Sequence, residues 1–290
     1  MYVATLIANS KNRNLSELIL KQVVNDLGGV KYKVLDDNIA IDINLVSEPS
    51  NFEIVWKQLQ KHQIDIVVQP IKNRRKSILL ADMDSTMIEQ ECIDELADEA
   101  GVGKRVAEIT KRAMNGELDF EDALIERVKL LKGLSSDIIV NVLKGRITLM
   151  PGAESLIKTM KRNGSYCALV SGGFTDFTEA ISKILGFDEN RANTLLQKNK
   201  ILTGEVQFPI LGRQAKVEAL TDITKKLGYA HNDVIAVGDG ANDLGMLTKA
   251  GMGVALHAKP ILAAQCKARL NFSNLEGLLY LQGYSKQEIL

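Results

Sequence analysis

Residues 77–86 read SILLADMDST, an uninterrupted apolar run that ends in two aspartates, Asp82 and Asp84. Continuous apolar strands are typical of parallel sheets, which are buried on both faces and bind ligands at the carboxyl ends of their strands. Residues i and i+2 of an extended chain project to the same side, so both carboxylates can face one site. This segment therefore predicts a buried strand that ends in a paired-carboxylate site.

Two later apolar segments end in the same way. Residues 167–170 (CALV) lead into SGG at 171–173, and residues 234–237 (VIAV) lead into GDGAND at 238–243. Helical periodicity between such strands predicts an α/β fold with a doubly wound parallel sheet of the Rossmann type. Roughly 80 residues separate the first two strands, whereas a crossover needs about a dozen. An inserted helical cap is therefore expected at about 88–148.

The N-terminal part of the chain follows a different plan. Its pattern is strand, helix, two strands, helix and strand, at residues 2–8, 15–27, 31–45, 52–62 and 64–68. This order predicts an α+β ferredoxin-like domain over residues 1–71, followed by a polar linker at 72–76 and the sheet domain at 77–290. The topology resembles the small ACT-type regulatory domains that bind amino acids, although a plain packing or dimerisation domain fits it equally well.

Composition excludes several classes of protein. At about 150 residues per domain, 290 residues suggest two domains. The 36 basic and 36 acidic residues balance, so the basic excess typical of nucleic-acid binding is absent. No apolar run approaches the roughly 18 residues of a membrane span, and the first residues lack a secretion signal. Three cysteines without a CxxC pair favour reduced thiols. The expectation is a cytoplasmic protein that binds neither nucleic acid nor a membrane.

The two aspartates of the first strand suit acid–base or nucleophilic chemistry. Repulsion and shared burial would separate the pKa values of Asp82 and Asp84, leaving one as a nucleophile or metal ligand and the other able to hold a proton. In GDGAND, Asp239 and Asp243 could complete an oxygen-rich cation site with Asp82. Hard oxygen ligands select Mg²⁺ over zinc. For both motifs the plain alternative is an ordinary turn.

Two further candidates carry weaker signals. A hydroxyl followed by unhindered N–H groups, as in Ser171 and Gly172, is suited to hold an anion such as phosphate at a helix start, but a plain strand-to-helix turn explains the glycine equally well. Lys216 opens a helix expected at 215–227, where a lysine would ordinarily be solvated.

Taken in order, DMDST, SGG, Lys216 and GDGAND resemble the haloacid dehalogenase superfamily. Glu91, the segment MNGELDF at 114–120 and the ERV at 126–128 narrow the resemblance to the phosphoserine phosphatase family. The resemblance covers about residues 77–280. It implies hydrolysis of O-phospho-L-serine to L-serine and phosphate, the last step of serine biosynthesis, through an aspartyl-phosphate intermediate.

The resemblance also implies roles for single residues. Asp82 would attack phosphorus, and Asp84 would protonate the departing serine and then activate water. Mg²⁺ would be held by Asp82, the carbonyl of Asp84 and Asp239, with Asp243 supporting the metal site or Lys216.

Substrate contacts follow from the same resemblance. The phosphoryl group would be held by Ser171, Gly172, Lys216 and Asn242. The substrate's ammonium and carboxylate would be bound by Glu91 and Arg127 of the cap, while Met114 and Phe120 would form an apolar wall that excludes water.

Three alternatives stay open at this stage. The chain could be a related phosphatase, or a phosphotransferase, acting on another small phosphomonoester. It could instead be a regulatory amino-acid-binding protein that keeps the fold without activity, although Asp82, Asp84, Lys216 and Asp239 are all present. The N-terminal domain could sense serine or form a homodimer, and the sequence does not choose between these roles.

Overall fold

The computed structural model describes residues 1–114 and 117–290, with Met114 described through its backbone alone. In the N-terminal part, two helices and four strands follow in the order β1 (Tyr2–Ala8), α1 (Glu17–Leu27), β2 (Lys31–Asp36), β3 (Ala40–Leu45), α2 (Phe52–Lys61) and β4 (Ile64–Pro70). The strands form one sheet in the order β2-β3-β1-β4, and β1 is antiparallel to both of its neighbours. The predicted α+β arrangement is confirmed.

Local sequence explains where α1 begins and ends. The side chain of Ser16 accepts a hydrogen bond from the N–H of Ile19, satisfying one of the free donors of the first turn. Gly28 ends the helix in the left-handed conformation, with φ of 65°, which glycine adopts without a Cβ penalty. Between these caps, Leu20, Val23 and Leu27 are buried, so the helix lays one apolar face on the sheet.

The rest of the chain alternates helices and strands. The segment up to residue 150 comprises β5 (Ile78–Ala81), α3 (Cys92–Glu99), α4 (Gly103–Met114), α5 (Phe120–Lys129) and α6 (Asp137–Gly145). It is followed by α7 (Ala153–Arg162), β6 (Tyr166–Phe174), α8 (Thr175–Leu185), β7 (Glu189–Asn193), β8 (Leu195–Lys198), β9 (Ile201–Val206) and α9 (Arg213–Leu227). The last elements are β10 (Val234–Gly238), α10 (Leu244–Lys249), β11 (Met252–Leu256), α11 (Pro260–Ala263), β12 (Ala268–Leu270) and α12 (Gly277–Leu281).

The second sheet has six strands in the order β12-β11-β10-β5-β6-β7. The pairs β10–β11, β11–β12 and β6–β7 are parallel, and all four residues of β5 are buried. The predicted α/β class with a parallel sheet is thereby confirmed. Strand β5, which ends just before Asp82, lies inside the sheet.

Two features differ from the sequence expectations. Strand β6 does not end before the SGG segment but continues through it to Phe174, with a shift in its pairing to β7 between Val170 and Phe174. The antiparallel hairpin of β8 and β9 was not predicted. Its turn residues, Asn199 and Lys200, both have positive φ values, of 53° and 62°, without the glycine that ordinarily signals such a turn.

Two compact units make up the chain. The first comprises Met1–Leu80, Pro151–Cys167 and Leu220–Leu290, and the second comprises Ala81–Met150 and Ala168–Ala219. The boundaries expected at residues 71 and 76 and the cap expected at about 88–148 stay predictions. Among the described residues, none of the helices combines the length and apolar character needed to cross a membrane.

Within the first unit, a polar network joins the N-terminal sheet to α12. The guanidinium of Arg74 binds both carboxylate oxygens of Asp42, at 2.5 and 2.7 Å, and donates to the hydroxyl of Thr5 at 2.8 Å. It also donates to the carbonyls of Tyr280 and Leu281, at 2.9 and 2.6 Å. One planar side chain therefore ties two sheet strands to the C-terminal helix.

A second buried carboxylate strengthens this junction. Asp65 of β4 is fully buried and accepts hydrogen bonds from the N–H groups of Asn271, Phe272 and Ser273, at 2.8, 3.1 and 2.9 Å. Burial raises the pKa of Asp65, and the three N–H donors act in the opposite direction. Since the segment after β12 has its N–H groups satisfied here, the N-terminal sheet completes the hydrogen bonding of the C-terminal segment.

Arg74→Ala is expected to lower the free energy of unfolding by about 3–5 kcal/mol, because it leaves the buried Asp42 carboxylate without its counter-charge. Chemical denaturation followed by circular dichroism measures this loss. Lys158→Ala is the matched control, since it removes an ion pair with Glu154 whose partners are each 58% exposed, which typically contributes about 0–1 kcal/mol. Equal losses in the two variants would contradict a stabilising role for the Arg74 network.

Candidate active site

Asp82, the first residue after β5, is paired with a buried lysine. The ammonium of Lys216, near the start of α9, lies 2.6 Å from the Oδ1 atom of Asp82, and the same oxygen accepts the N–H of Met83 at 2.8 Å. Lys216 is 1% exposed and Asp82 is 4% exposed. The lysine is therefore not the solvated helix residue that its surroundings in the sequence would suggest. An ammonium at this distance favours the ionised form of the carboxylate and fixes its orientation.

Asp84 has different partners. Its Oδ1 accepts the N–H of Cys92, the first residue of α3, at 2.9 Å, and its Oδ2 accepts the hydroxyl of Ser171 at 3.2 Å. Burial, together with the nearby negative charge of Glu91, raises the pKa of Asp84 to about 6, and the hydrogen bonds from Cys92 and Ser171 partly oppose this shift. Asp84 can therefore hold or release a proton close to neutral pH.

The SGG segment lies against both Asp84 and Phe120 of α5. A Cβ atom at Gly173 would come 2.6 Å from the Oδ2 of Asp84, and one at Gly172 would come 2.8 Å from the Cζ of Phe120. The N–H of Gly173 donates to the hydroxyl of Ser171 at 2.9 Å. Three residues predicted to contact substrate, Ser171, Gly172 and Phe120, are thus brought close to the predicted acid–base residue.

Glu91 and Arg127 carry the charges predicted to recognise an amino acid. The hydroxyl of Ser85 donates to the Oε1 of Glu91 at 2.9 Å. Arg127, on α5, donates from its Nε to the carbonyl of Ala123 at 3.1 Å. Burial lowers the pKa of Arg127, while the negative charges of Asp94, Glu91 and Asp84 raise it. The negative charges of three carboxylates therefore act on the guanidinium.

The GDGAND segment follows β10. Asp239 is 5% exposed and lies 3.3 Å from the ammonium of Lys259. Asp243 is fully buried, and its Oδ2 accepts the N–H of Gly240 at 3.0 Å. A Cβ at Gly238 would come 2.3 Å from the Cγ of Asp243, so this glycine is needed for space. Asn242 is half-buried at the same turn.

Three buried carboxylates have a donor arrangement that fits a metal ion. Asp82, Asp239 and Asp243 each offer one oxygen, and these oxygens lie within 4.8 Å of one another. The group contains neither histidine nor cysteine. Carboxylate oxygens are hard ligands of the kind that Mg²⁺ prefers, so the residues present fit the predicted cation. The contribution of Asp84 through its carbonyl stays a prediction.

Two contacts were missed by sequence reasoning, and one predicted residue cannot be placed. The N–H of Cys92 and the hydroxyl of Ser85 contact the site carboxylates, although neither was singled out for a role. Cys92 directly follows Glu91 in the sequence, and this position could have indicated that its N–H lies near the site. The predicted side-chain contact of Met114 falls outside the described residues. The catalytic and binding roles of the predicted residues stay predictions.

Comparison with known proteins places these features in a family context. The family of haloacid dehalogenase-like hydrolases matches residues 79–248. A probable phosphoserine phosphatase of Schizosaccharomyces pombe is 44% identical over 216 residues, which cover 74% of this chain and 72% of that protein. In three further curated relatives the matched stretch spans 65, 55 and 57% of their length.

Two solved structures are similar to this chain, one over almost its whole length and one over 71% of it. A HAD-family hydrolase from Salmonella enterica serovar Typhi is 29% identical, with a TM-score of 0.87 and coverage of 97% of both chains. A phospho-aspartyl intermediate analogue of a phosphoserine phosphatase is 44% identical, with a TM-score of 0.66, and covers 71% of this chain and 98% of that one.

Asp84→Asn is expected to stabilise the metal-free protein at high pH. The folded pKa, about 6, is above the ordinary value of 3.8, so ionisation of Asp84 favours the unfolded state. The resulting penalty is absent below pH 4, grows between pH 4 and 6, and reaches about 3 kcal/mol above that range. Denaturation in chelator at pH 8 and at pH 4.5 measures the gain.

The exposed Asp26→Asn is the control for this pair of measurements, and it should bring no comparable gain at pH 8. A gain for Asp84→Asn that is as large at pH 4.5 as at pH 8 would show that ionisation is not its cause.

Proposed function

The chain belongs to the haloacid dehalogenase-like hydrolase family, and on that basis we propose that it hydrolyses O-phospho-L-serine to L-serine and phosphate. The proposal rests most directly on one observation, the buried Asp82 carboxylate paired with Lys216 at 2.6 Å, beside a second aspartate able to hold a proton. The 44% identity to a probable phosphoserine phosphatase supports the choice of substrate. This reaction would supply the last step of serine biosynthesis.

In the first half of the reaction, Asp82 is the nucleophile. One of its carboxylate oxygens attacks the phosphorus, the bond from phosphorus to the serine oxygen breaks, and an aspartyl-phosphate forms. Lys216 keeps the attacking group ionised and contacts the phosphoryl oxygens as charge shifts to them. Ser171 and the N–H of Gly172 hold the same oxygens, and Asn242 orients the group.

Asp84 moves the proton in both halves. In its protonated form it donates to the departing serine oxygen, so that serine leaves as a neutral alcohol. The resulting carboxylate then takes a proton from the water that attacks the aspartyl-phosphate, releasing phosphate and restoring Asp82. A folded pKa of about 6 suits both steps, because neither protonation state is costly near neutral pH.

We propose that Mg²⁺ is the cation of the carboxylate group formed by Asp82, Asp239 and Asp243. When bound, it offsets the negative charge of nucleophile and phosphate, which would otherwise repel each other strongly. The three carboxylates of this chain hold the cation, and Lys259 beside Asp239 offsets part of their mutual repulsion.

Recognition of the amino-acid part of the substrate is assigned to the helices between residues 92 and 145. Arg127 binds the carboxylate through two parallel N–H donors, and Glu91 binds the ammonium. Phe120, which packs against Gly172, and Met114 complete an apolar wall against water. Separate recognition of the two charges restricts the enzyme to phosphorylated amino acids rather than to phosphomonoesters in general.

The absence of net charge supports a small-molecule partner rather than nucleic acid. We propose a cytoplasmic enzyme in which residues 1–71 form a separate ferredoxin-like domain that mediates homodimer formation.

Asp82→Asn is expected to lower kcat for O-phospho-L-serine by about 10³-fold or more, because an amide cannot form the aspartyl-phosphate. Phosphate release with Mg²⁺ measures this, and chelator should stop release by the wild type until Mg²⁺ is restored. Release that persists in the variant would exclude Asp82 as the nucleophile. Release from an aryl phosphate but not from phosphoserine would remove the substrate assignment and leave the chemistry.

Arg127→Ala is expected to reduce kcat/KM for O-phospho-L-serine by about 100-fold, through loss of charged hydrogen bonds to the substrate carboxylate. O-phosphoethanolamine has no carboxylate, so its value should change by less than about threefold. Lys129→Ala, at an exposed position of the same helix, is the control and should leave both values unchanged. Equal losses on the two substrates would contradict carboxylate binding by Arg127.

A further inference from the structure

Ser85 is held rigidly in the loop that connects β5 to α3. Its N–H donates to the carbonyl of Gln90 at 3.1 Å, and the carbonyl of Met83 accepts the N–H groups of Met87 and Ile88 at 2.8 and 3.1 Å. Met83, Met87 and Ile88 are fully buried. The loop therefore fixes the direction in which the Ser85 hydroxyl points, which is towards Glu91 at 2.9 Å.

The backbone of Ser85 is unusual for a residue that is not glycine. Its φ is 53°, in the left-handed region that side chains with a Cβ rarely adopt. A glycine would fit this backbone without strain, but it would carry no hydroxyl. The backbone conformation at this position therefore favours glycine, but the residue there is a serine.

Glu91 is the acceptor of the Ser85 hydroxyl and is proposed to bind the substrate ammonium. The 2.9 Å hydrogen bond joins the Ser85 hydroxyl to the Oε1 atom of Glu91, so the carboxylate has a donor on an ordered loop. A carboxylate that is oriented in advance can receive an ammonium group without first reorganising.

We propose that Ser85 is a positioning residue that orients the carboxylate of Glu91 and thereby sets the preference for substrates that carry an ammonium group. This inference rests on the proposed function and adds a residue to it. A hydroxyl suits the task because it is neutral and short, and it donates to the carboxylate without competing for the positive ligand. The ammonium of the substrate then meets an already oriented acceptor.

Three substrates distinguish the positioning of Glu91 by Ser85 from a general effect of Ser85 on the site. O-phospho-L-serine carries both charged groups, O-phosphoethanolamine carries only the ammonium, and 3-(phosphonooxy)propanoate carries only the carboxylate. For Ser85→Ala we expect kcat/KM to fall about tenfold or more on the first two, through loss of a hydrogen bond to a charged group. It should change by less than about threefold on the third. The loss should be mainly in KM.

Two comparison variants identify the cause. Ser85→Gly lacks the hydroxyl but relieves the backbone, and it should reproduce the substrate pattern of Ser85→Ala. Thr148→Ala removes another hydroxyl that donates to a glutamate, Glu89, at 2.7 Å, in the segment that follows α6. It should not discriminate among the substrates. Activity of each variant on 3-(phosphonooxy)propanoate also reports that the site has folded.

The outcomes are distinct. Equal losses of Ser85→Ala on all three substrates, or wild-type values for Ser85→Gly, would overturn the positioning role and leave the proposed function intact. A wild type that does not prefer the ammonium-bearing substrates would remove the substrate assignment itself, and this inference with it. The second outcome is measured on the wild type alone, so it can be distinguished from a failure of the Ser85 variants.

Discussion

The buried ion pair of Lys216 and Asp82 is the interaction on which the rest of the site depends. Each group is almost fully excluded from water, where a lone charge would be very unfavourable and only close pairing offsets the loss of hydration. Each residue therefore stabilises the charged form of the other in its buried position. Since Asp82 directly follows β5 and Lys216 lies in the first turn of α9, their pairing also fixes the end of the central strand against the start of that helix.

The same pair explains how two neighbouring aspartates acquire different chemistry. Asp82 faces an ammonium 2.6 Å away, which favours its ionised form. Asp84 accepts hydrogen bonds from two neutral donors, the N–H of Cys92 and the hydroxyl of Ser171, and lies near the like charge of Glu91. Burial is the main cause of its raised pKa, and the charge of Glu91 adds to it. One residue type thus suits both the proposed nucleophile and the proposed proton carrier, because the surroundings of the two aspartates differ.

The strands of the parallel sheet could be predicted from sequence because they are buried and uniformly apolar. The paired aspartates could be predicted because polar residues directly follow such a strand. The burial of Lys216 could not, because periodicity does not indicate what a polar helix residue faces, and only the family resemblance pointed to it. The contact from Ser85 depends on a left-handed φ of 53° at a serine, for which no local signal exists. The β8–β9 turn was missed for the same reason, since Asn199 and Lys200 take positive φ values without a glycine.

The SGG segment shows how the physical contribution of predicted residues can differ from the one that their sequence suggests. Sequence reasoning attributed these glycines to free N–H groups at a helix start, yet β6 remains a strand through Phe174. What the glycines supply instead is space, because side-chain atoms of Asp84 and Phe120 lie where Cβ atoms would be. The absence of side chains there lets Ser171 accept the N–H of Gly173 and donate to Asp84. The strand thereby orients the hydroxyl of Ser171, a residue proposed to bind phosphate, towards Asp84, the proposed proton carrier.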